Sequence, residues 1–162
     1  MKSKPSLKEC KIPLGHSNLF VLVDKEDYEK LSKFHWSLSN SYARRPKYIG
    51  NSKNTSIMMH REIMKAPKGI EIDHINHDKL DNRKANLRLV TKQQNAFNRL
   101  PRPNASGYKG VYLDHRGMWR VVMFINGKTR YFGAFKDPMV AAKRYNEIAK
   151  QYHGEYAYEN KI

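Results

Sequence analysis

The sequence predicts an α+β protein of two parts joined by a short basic linker, and three observations support this expectation. Residues 69–99 follow a strand–loop–strand–helix pattern. Residues 108–160 hold three β-like runs and then one helix. Between them lies a linker at 100–107, and the stretch 99–107 contains two prolines, two arginines and no acid. We expect this stretch to be stiff and to attract phosphate.

The region before residue 69 is expected to be a small strand and helix region that begins near Leu14. Residues 19–23 form a short apolar strand, and Asp24 with Asp27 resembles a capping box that starts a helix. Strand-like pieces are expected at 36–38, 42–45 and 56–64, with a polar turn at 50–54.

The middle region has a definable geometry. Residues 70–75 can form a strand whose end presents Asp73 and His74, residues 78–85 form a polar loop, and residues 86–90 can return as the second strand of a hairpin. Thr91 with Gln94 three residues later forms a capping box, so a short helix would carry Asn95. This arrangement predicts that Asp73 and Asn95 come within reach of one ion.

Carboxylate and amide oxygens at these two positions suit one divalent cation, with Mg²⁺ or Mn²⁺ expected first and Ca²⁺ also accommodated. His74 would lie beside the ion, and an imidazole with an ordinary pKa of about 6.5 can take a proton from water near neutral pH. The cation would hold a scissile phosphate and stabilise charge on the leaving 3′ oxygen. The pattern therefore indicates hydrolysis of a phosphodiester bond.

The third region is predicted to contain strands at 109–113, 118–125 and 129–132, separated by turns at 114–117 and at Asn126-Gly127. A helix follows, with Asp137 as its N-cap and Pro138 at its first position. Gly154 would end this helix. The residues expected on its core-facing side are Ala141, Tyr145, Ile148 or Ala149, and Tyr152.

Charge and cysteine content restrict the partners of the chain. There are 31 Lys and Arg against 15 Asp and Glu, which gives a net charge of +16 and favours a polyanion such as nucleic acid. The single Cys10 excludes a disulfide framework and a cysteine-based zinc site. No apolar run approaches the roughly 18 residues of a spanning helix, and residues 1–8 lack the apolar core of a signal peptide. We expect a soluble, cytoplasmic protein that does not bind membranes.

The Asp73-His74 pair, the run Asn-Leu-Arg-Leu-Val-Thr at 86–91 and Asn95 together resemble the HNH endonucleases with a ββα-metal fold, especially small homing enzymes of phage and introns. The resemblance implies that His74 is the general base and that Asp73 and Asn95 are metal ligands. It also implies that Asn86 is the central asparagine of the catalytic motif, which braces the loop through backbone hydrogen bonds. The nuclease region would span 14–99, with the ββα-metal core at about 69–99.

Residues 59–64 also resemble the strand or helix that precedes the motif in phage members of this family. His60 and Arg61 are therefore candidates of lower rank near the site. His77 follows the motif closely, and we favour a position on the loop surface for it over the role of a second base.

The third region resembles a different family, the apetala/ethylene-response-factor DNA-binding domain. The matching segments are 106–111, 119–121, 132–135 and the helix with Ala141, Ala142 and Tyr145. The resemblance implies a three-stranded antiparallel sheet that lies in the DNA major groove, with one helix packed behind it. Val122 and Phe124 stand where the plant domains usually carry charged contact residues. The expected DNA contacts are Lys109, Tyr112, Arg116, Arg120, Thr129 and Tyr131, together with Arg99 and Arg102 at the linker.

Two classes of function remain open, and a third fits only the charge. The first is a metal-dependent, homing-type DNA endonuclease that nicks one strand or cuts both. The second is a non-catalytic, sequence-specific DNA-binding protein with an inactive nuclease half, and the third is a basic RNA-binding protein. All four residues of the motif are intact, which favours the enzyme. The expected partner is double-stranded DNA, a monomer is compatible with the sequence, and a phage-encoded protein would act in the host cytoplasm.

Overall fold

The computed structural model describes residues 10–15, 17–50 and 54–162, which form two compact units divided between Thr91 and Lys92. The first unit contains β1 (Cys10–Pro13), β2 (Phe20–Val23), α1 (Lys25–Leu31), β3 (Ser37–Ser39), β4 (Tyr42–Tyr48), β5 (Asn54–Met58), α2 (Met59–Met64), β6 (Glu71–His74) and β7 (Leu87–Val90). The second contains α3 (Lys92–Phe97), β8 (Val111–Leu113), β9 (Trp119–Ile125), β10 (Lys128–Phe135) and α4 (Pro138–His153). This mixture of helix and sheet agrees with the expected α+β class.

The described part of the first unit is built on small antiparallel sheets, β1–β2, β3–β4–β5 and β6–β7. One hydrophobic core joins them, and Trp36 at its centre is only 1% exposed. The indole Nε1 of Trp36 donates a hydrogen bond of 2.8 Å to the carbonyl oxygen of Leu31, so its polar atom is satisfied inside the core. The core residues are Ile12, Leu14, Val21, Val23, Leu31, Trp36, Ala43, Met59, Ile63, Ile72 and Leu87.

Two of the expectations for the front of the chain are wrong. Asp24 precedes α1, but its side chain makes no capping hydrogen bond to that helix. Its Oδ2 instead accepts from the backbone N–H of Lys84 at 2.8 Å. The strand-like piece expected at 56–64 is confirmed as strand up to Met58 and is wrong from Met59, where a helix begins and the buried residues Met59, His60 and Ile63 follow a helical period. The turn expected at 50–54 falls largely on residues outside those described.

The hairpin of β6 and β7 sets the first part of the candidate site. The two strands are antiparallel, with Asp73 opposite Arg88 and His74 opposite Leu87. A short 3-10 helix at Lys84–Asn86 ends the connecting loop. These bounds agree closely with the two strands expected from the sequence, and α3 begins at Lys92, directly after Thr91.

The second unit is a three-stranded antiparallel sheet in the order β10–β9–β8, with α4 packed against one face. The carboxylate of Asp137 accepts from the backbone N–H of Met139 at 2.7 Å, with Pro138 in the first turn, as the sequence predicted. The expected core position of Tyr152 is wrong, because this residue is 43% exposed in the last turn of α4. Among the described residues, no helix combines the length and the apolar character that crossing a membrane requires.

Candidate functional site

His74 ends β6 with its imidazole buried in the first unit, where it is 5% exposed. Its Nε2 lies 2.9 Å from Oδ1 of Asn82. An amide oxygen only accepts hydrogen bonds, so this contact assigns the ring proton to Nε2 and the basic lone pair to Nδ1. Asn82 is 1% exposed and its backbone N–H donates to the carbonyl oxygen of Leu22 at 2.8 Å. Asn82 thus fixes the orientation of His74.

The His74 ring belongs to a cluster of three rings from three different elements. The ring centroid of His60, on α2, lies 5.3 Å from that of His74. Tyr42, on β4, lies 5.1 Å from His60 and 5.9 Å from His74. Sequence separation hid this cluster, because Tyr42 precedes the motif by some thirty residues.

Burial determines the ionisation of the two histidines. It lowers the pKa of His74, although the hydrogen bond that His74 donates to Asn82 and the nearby carboxylates of Asp73, Asp78 and Asp81 oppose the change. Burial also lowers the pKa of His60 to about 4, with further contributions from His74 and Arg61. Both imidazoles are therefore neutral at pH 7, and a neutral imidazole is the form that can accept a proton.

Asp73 is buried and paired with Arg88, its partner across the hairpin. The Asp73 Oδ2 accepts from Nε and Nη2 of Arg88 at 2.9 and 2.6 Å. The Asp73 and Arg88 side chains are 8% and 15% exposed, so the pair is shielded from water. The sequence motif contained Arg88, and the cross-strand register of the expected hairpin could have identified it as this partner.

Asn86 bridges two points of the loop that follows His74. Its Oδ1 accepts from the backbone N–H of Asn76 at 2.9 Å, and its Nδ2 donates to the carbonyl oxygen of Asp81 at 2.8 Å. Asp81 is itself held by Arg83 at 2.7 Å, and this hydrogen bond lowers the pKa of the Asp81 carboxyl. The loop is thus held in one shape by side chains that satisfy its backbone.

The lower-rank candidates occupy different positions. His60 contacts His74 directly, as described above. The guanidinium of Arg61 donates to the carbonyl oxygens of Ile70, Ala66 and Pro67 at 3.0 to 3.2 Å, which fastens the connection between α2 and β6. His77 has a positive φ of 66° and lies in the turn where its backbone N–H donates to the His74 carbonyl oxygen.

Asn95 lies half-buried on α3, in the second compact unit. Its expected approach to Asp73 crosses the division between the units and stays a prediction. A separate acidic cluster of Asp24, Glu26 and Asp27 lies in the first unit. The Lys84 ammonium forms ion pairs with Glu26 and Asp27, so a side-chain cation already offsets part of the charge of that cluster.

Four of the expected DNA contacts lie on the face of the second unit's sheet that points away from α4. We call this the outer face, and it consists of Tyr112, Arg120, Val122, Phe124, Thr129 and Tyr131. The Arg120 guanidinium lies 4.9 Å from the centroid of the Tyr131 ring. Phe124 is 65% exposed, so the outer face combines a cation with exposed aromatic rings. Arg116 is exposed in the turn between β8 and β9, and Arg99 and Arg102 are exposed before β8.

Lys109 has a different environment from the other basic candidates. Its ammonium donates to the carbonyl oxygens of Phe97 and Arg99, both at 2.7 Å. Burial lowers its pKa to about 8, with a smaller contribution from the charge of Arg99. Lys109 thus satisfies carbonyls at the C-terminal end of α3, a long-range role that its sequence position does not reveal.

Comparison with known proteins identifies the family. A sequence model of HNH endonucleases matches residues 65–97, which include Asp73, His74, Asn86 and Asn95. An uncharacterized HNH endonuclease of Acanthamoeba polyphaga mimivirus is 33% identical over 149 residues, which cover 88% of this chain and 75% of that protein. The chain belongs to the HNH endonuclease family. Protein 3.8 of Escherichia phage T7 is 33% identical over 93 residues, covering 56% of this chain and 76% of that protein. No solved structure matches the chain significantly.

Membership of the HNH endonuclease family confirms the expectation that the chain is an enzyme and a nuclease. HNH nucleases generally depend on a divalent metal and act on DNA. The sequence argument missed three residues that this HNH endonuclease places at the motif: Tyr42 and Asn82, which contact His74, and Arg88, which pairs with Asp73.

Proposed function

We propose that this HNH endonuclease hydrolyses phosphodiester bonds of double-stranded DNA, with His74 as the general base. The observation that carries the proposal is the buried hydrogen bond between His74 Nε2 and Asn82 Oδ1. It makes Nδ1 the proton-accepting nitrogen, and burial keeps the ring neutral. A fixed, neutral imidazole at the end of a strand is the arrangement that general-base catalysis needs.

In the proposed step, His74 Nδ1 takes a proton from a water molecule while the water oxygen bonds to phosphorus. The bond between phosphorus and the 3′ oxygen breaks, and its electron pair stays with that oxygen, which takes a proton from solvent. The products are a 5′-phosphate and a 3′-hydroxyl. Asn86 would keep the loop after His74 in shape through its two backbone hydrogen bonds, without touching the reacting atoms.

The donor set fits a hard divalent cation, because Asp73 offers a carboxylate and Asn95 an amide oxygen. Arg88 bonds to the Asp73 carboxylate, so a cation held there would share that carboxylate with the guanidinium or displace it. Mg²⁺ or Mn²⁺ is the proposed ion. When bound, such an ion stabilises negative charge on the phosphate and the leaving oxygen.

We further propose that the second unit holds the DNA in the manner of an apetala/ethylene-response-factor domain. A three-stranded antiparallel sheet backed by one helix supports this proposal, as does the outer face with Arg120 between Tyr112 and Tyr131. Arg116, Arg99 and Arg102 would add phosphate contacts. We leave Lys109 out of this set, because its ammonium is bonded to backbone carbonyls.

The proposed domains are a nuclease region at 14–99, a linker at 100–107 and a DNA-binding domain at 108–160. We propose a homing-type enzyme that nicks one strand or cuts both, and one catalytic histidine in each chain favours nicking by a monomer. The competing hypothesis is a non-catalytic DNA-binding protein, which would bind DNA without cutting it.

The test is cleavage of long double-stranded DNA with Mg²⁺ or Mn²⁺, with the ends on both strands mapped. We expect cutting that EDTA stops. His74→Ala should slow it at least about 100-fold while DNA affinity stays nearly unchanged, because the base acts in the transition state. His35→Ala, at an exposed histidine of the same unit, is the matched control. Absence of cutting with either ion, or equal rates for His74→Ala and wild type, would refute the proposal.

A further inference from the structure

In and after the loop that follows His74, every cation but one is paired with a carboxylate. Residues 75–90 contain the cations Lys79, Arg83, Lys84 and Arg88. Arg83 pairs with Asp81, Lys84 with Glu26 and Asp27, and Arg88 with Asp73. Among the described residues, Lys79 has no ion-pair partner. Its neighbour Asp78 is exposed, and Oδ1 of Asp78 accepts a hydrogen bond of 2.9 Å from the backbone N–H of Leu80.

The ammonium of Lys79 is instead held on an aromatic ring. Its Nζ lies 4.4 Å from the centroid of the Tyr42 ring, a distance at which the ring face attracts a cation. The same Tyr42 ring contacts the imidazole of His74. The Tyr42 ring therefore contacts both the ammonium of Lys79, which has no ion-pair partner among the described residues, and His74, the proposed base.

Lys79 also lines a groove with a volume of about 390 Å³. Its walls include the half-buried Lys79, together with Ser41, His77 and Leu38. This volume accommodates a phosphate and an attached sugar. Asp78 also lines the groove. Lys79 is the lysine or arginine among the lining residues, and it supplies the positive charge that a phosphate needs there.

We propose that the Lys79 ammonium, positioned by Tyr42, binds a non-bridging oxygen of the scissile phosphodiester and stabilises the charge that develops there during attack by water. The inference rests on the proposed function of His74. Attack on phosphorus adds negative charge to the phosphoryl oxygens, and a fixed cation that meets this charge lowers the barrier without reorganising. The paired arginines of the loop already share their charge with carboxylates, so Lys79 is the cation available for this role.

The experiment compares Lys79→Met with Lys79→Arg in the full-length protein. Lys33→Met is the matched control, since it removes the same charge from an exposed lysine of the same unit. Single-turnover cleavage is measured at saturating DNA with Mn²⁺, and DNA affinity is measured in parallel. Lys79→Met should cut about 100- to 1,000-fold more slowly than wild type, with an affinity like that of Lys33→Met. Lys79→Arg should retain most of the rate.

A second arm uses a neutral methylphosphonate at the mapped cleavage position. The linkage lacks one charged oxygen, so the rate difference between wild type and Lys79→Met should shrink. If Lys79→Met melts earlier than wild type, Lys79→Gln takes its place. A rate within threefold of Lys33→Met, or a defect in affinity alone, would overturn the inference while the function of His74 stands. Absence of cutting by wild type would instead refute the proposed function itself.

Discussion

The imidazole of His74 and the side-chain amide of Asn82 are joined by a hydrogen bond of 2.9 Å in the interior of the first unit. Both residues are at most 5% exposed, so water does not compete for the contact. The bond fixes both the rotation and the tautomer of the ring. Asn82 is thus a positioning residue.

Replacement of Asn82 by Ala should reduce kcat by about 10- to 100-fold, the usual effect of losing the partner that orients a functional histidine. KM for DNA should change little, because Asn82 acts through His74. The free energy of unfolding should fall by about 1–3 kcal/mol, since the buried Nε2–H loses its acceptor. Asn82→Asp keeps an acceptor and should keep most of the rate. Asn18→Ala, which changes an exposed asparagine, is the control. A wild-type kcat for Asn82→Ala would contradict the positioning role.

Replacement of Arg88 by Met should lower the free energy of unfolding by about 3–5 kcal/mol in EDTA, because it leaves the Asp73 carboxylate buried without its cation. The loss should be smaller in Mn²⁺, since an ion bound at Asp73 would supply the positive charge that the variant lacks. Urea denaturation in both conditions measures the difference. Arg44→Met, at an exposed arginine of β4, should change stability by no more than about 0.5 kcal/mol. Equal losses with and without Mn²⁺ would argue against Asp73 as a metal ligand.

Sequence patterns located the elements whose defining contacts are local. Asp137 caps α4 by accepting from the backbone N–H of Met139, two residues away, so the local Asp-Pro motif was enough to predict the start of this helix. Asp24 precedes a helix in the same way, but its carboxylate bonds to the backbone of Lys84. A contact across 60 residues depends on tertiary packing, and the local motif therefore gave the wrong partner.

The candidate site likewise combines residues that a local motif identifies with residues that only tertiary packing brings together. Asp73 and His74 are adjacent in sequence, and the motif singled them out. Tyr42 reaches His74 only because β4 and β6 both pack against α2. Lys109 reaches its carbonyls only because the end of α3 lies beside it in the second unit. Hydrophobic periodicity places residues on faces of elements, but it does not determine which faces meet.

Gly110→Ala should destabilise the second unit strongly. Gly110 has a φ of +73°, and a Cβ there would overlap the Tyr145 ring and approach the Val122 carbonyl oxygen to 2.8 Å. The left-handed backbone costs about 1–2 kcal/mol for Ala, and overpacking adds about 1–3 kcal/mol. Gly117 has a φ of +75°, and a Cβ added there would meet no atom within 4 Å, so Gly117→Ala isolates the backbone cost. Equal midpoints of denaturation for the two variants would show that the Tyr145 contact is unimportant.

Arg120→Gln should weaken DNA binding more than Arg130→Gln, although both remove one charge from the same sheet. Arg120 lies on the outer face between Tyr112 and Tyr131, whereas Arg130 is exposed on β10 opposite Met123, on the other face. If Arg120 contacts a phosphate, the plot of log affinity against log salt concentration should be less steep for Arg120→Gln than for wild type, by about 0.9 in slope. A base contact would instead cost about 1–3 kcal/mol and relax sequence preference at one position. Affinities measured over a range of salt concentrations separate these cases. Equal effects of the two variants would mean that the outer face does not contact DNA, because net charge alone would then explain the binding.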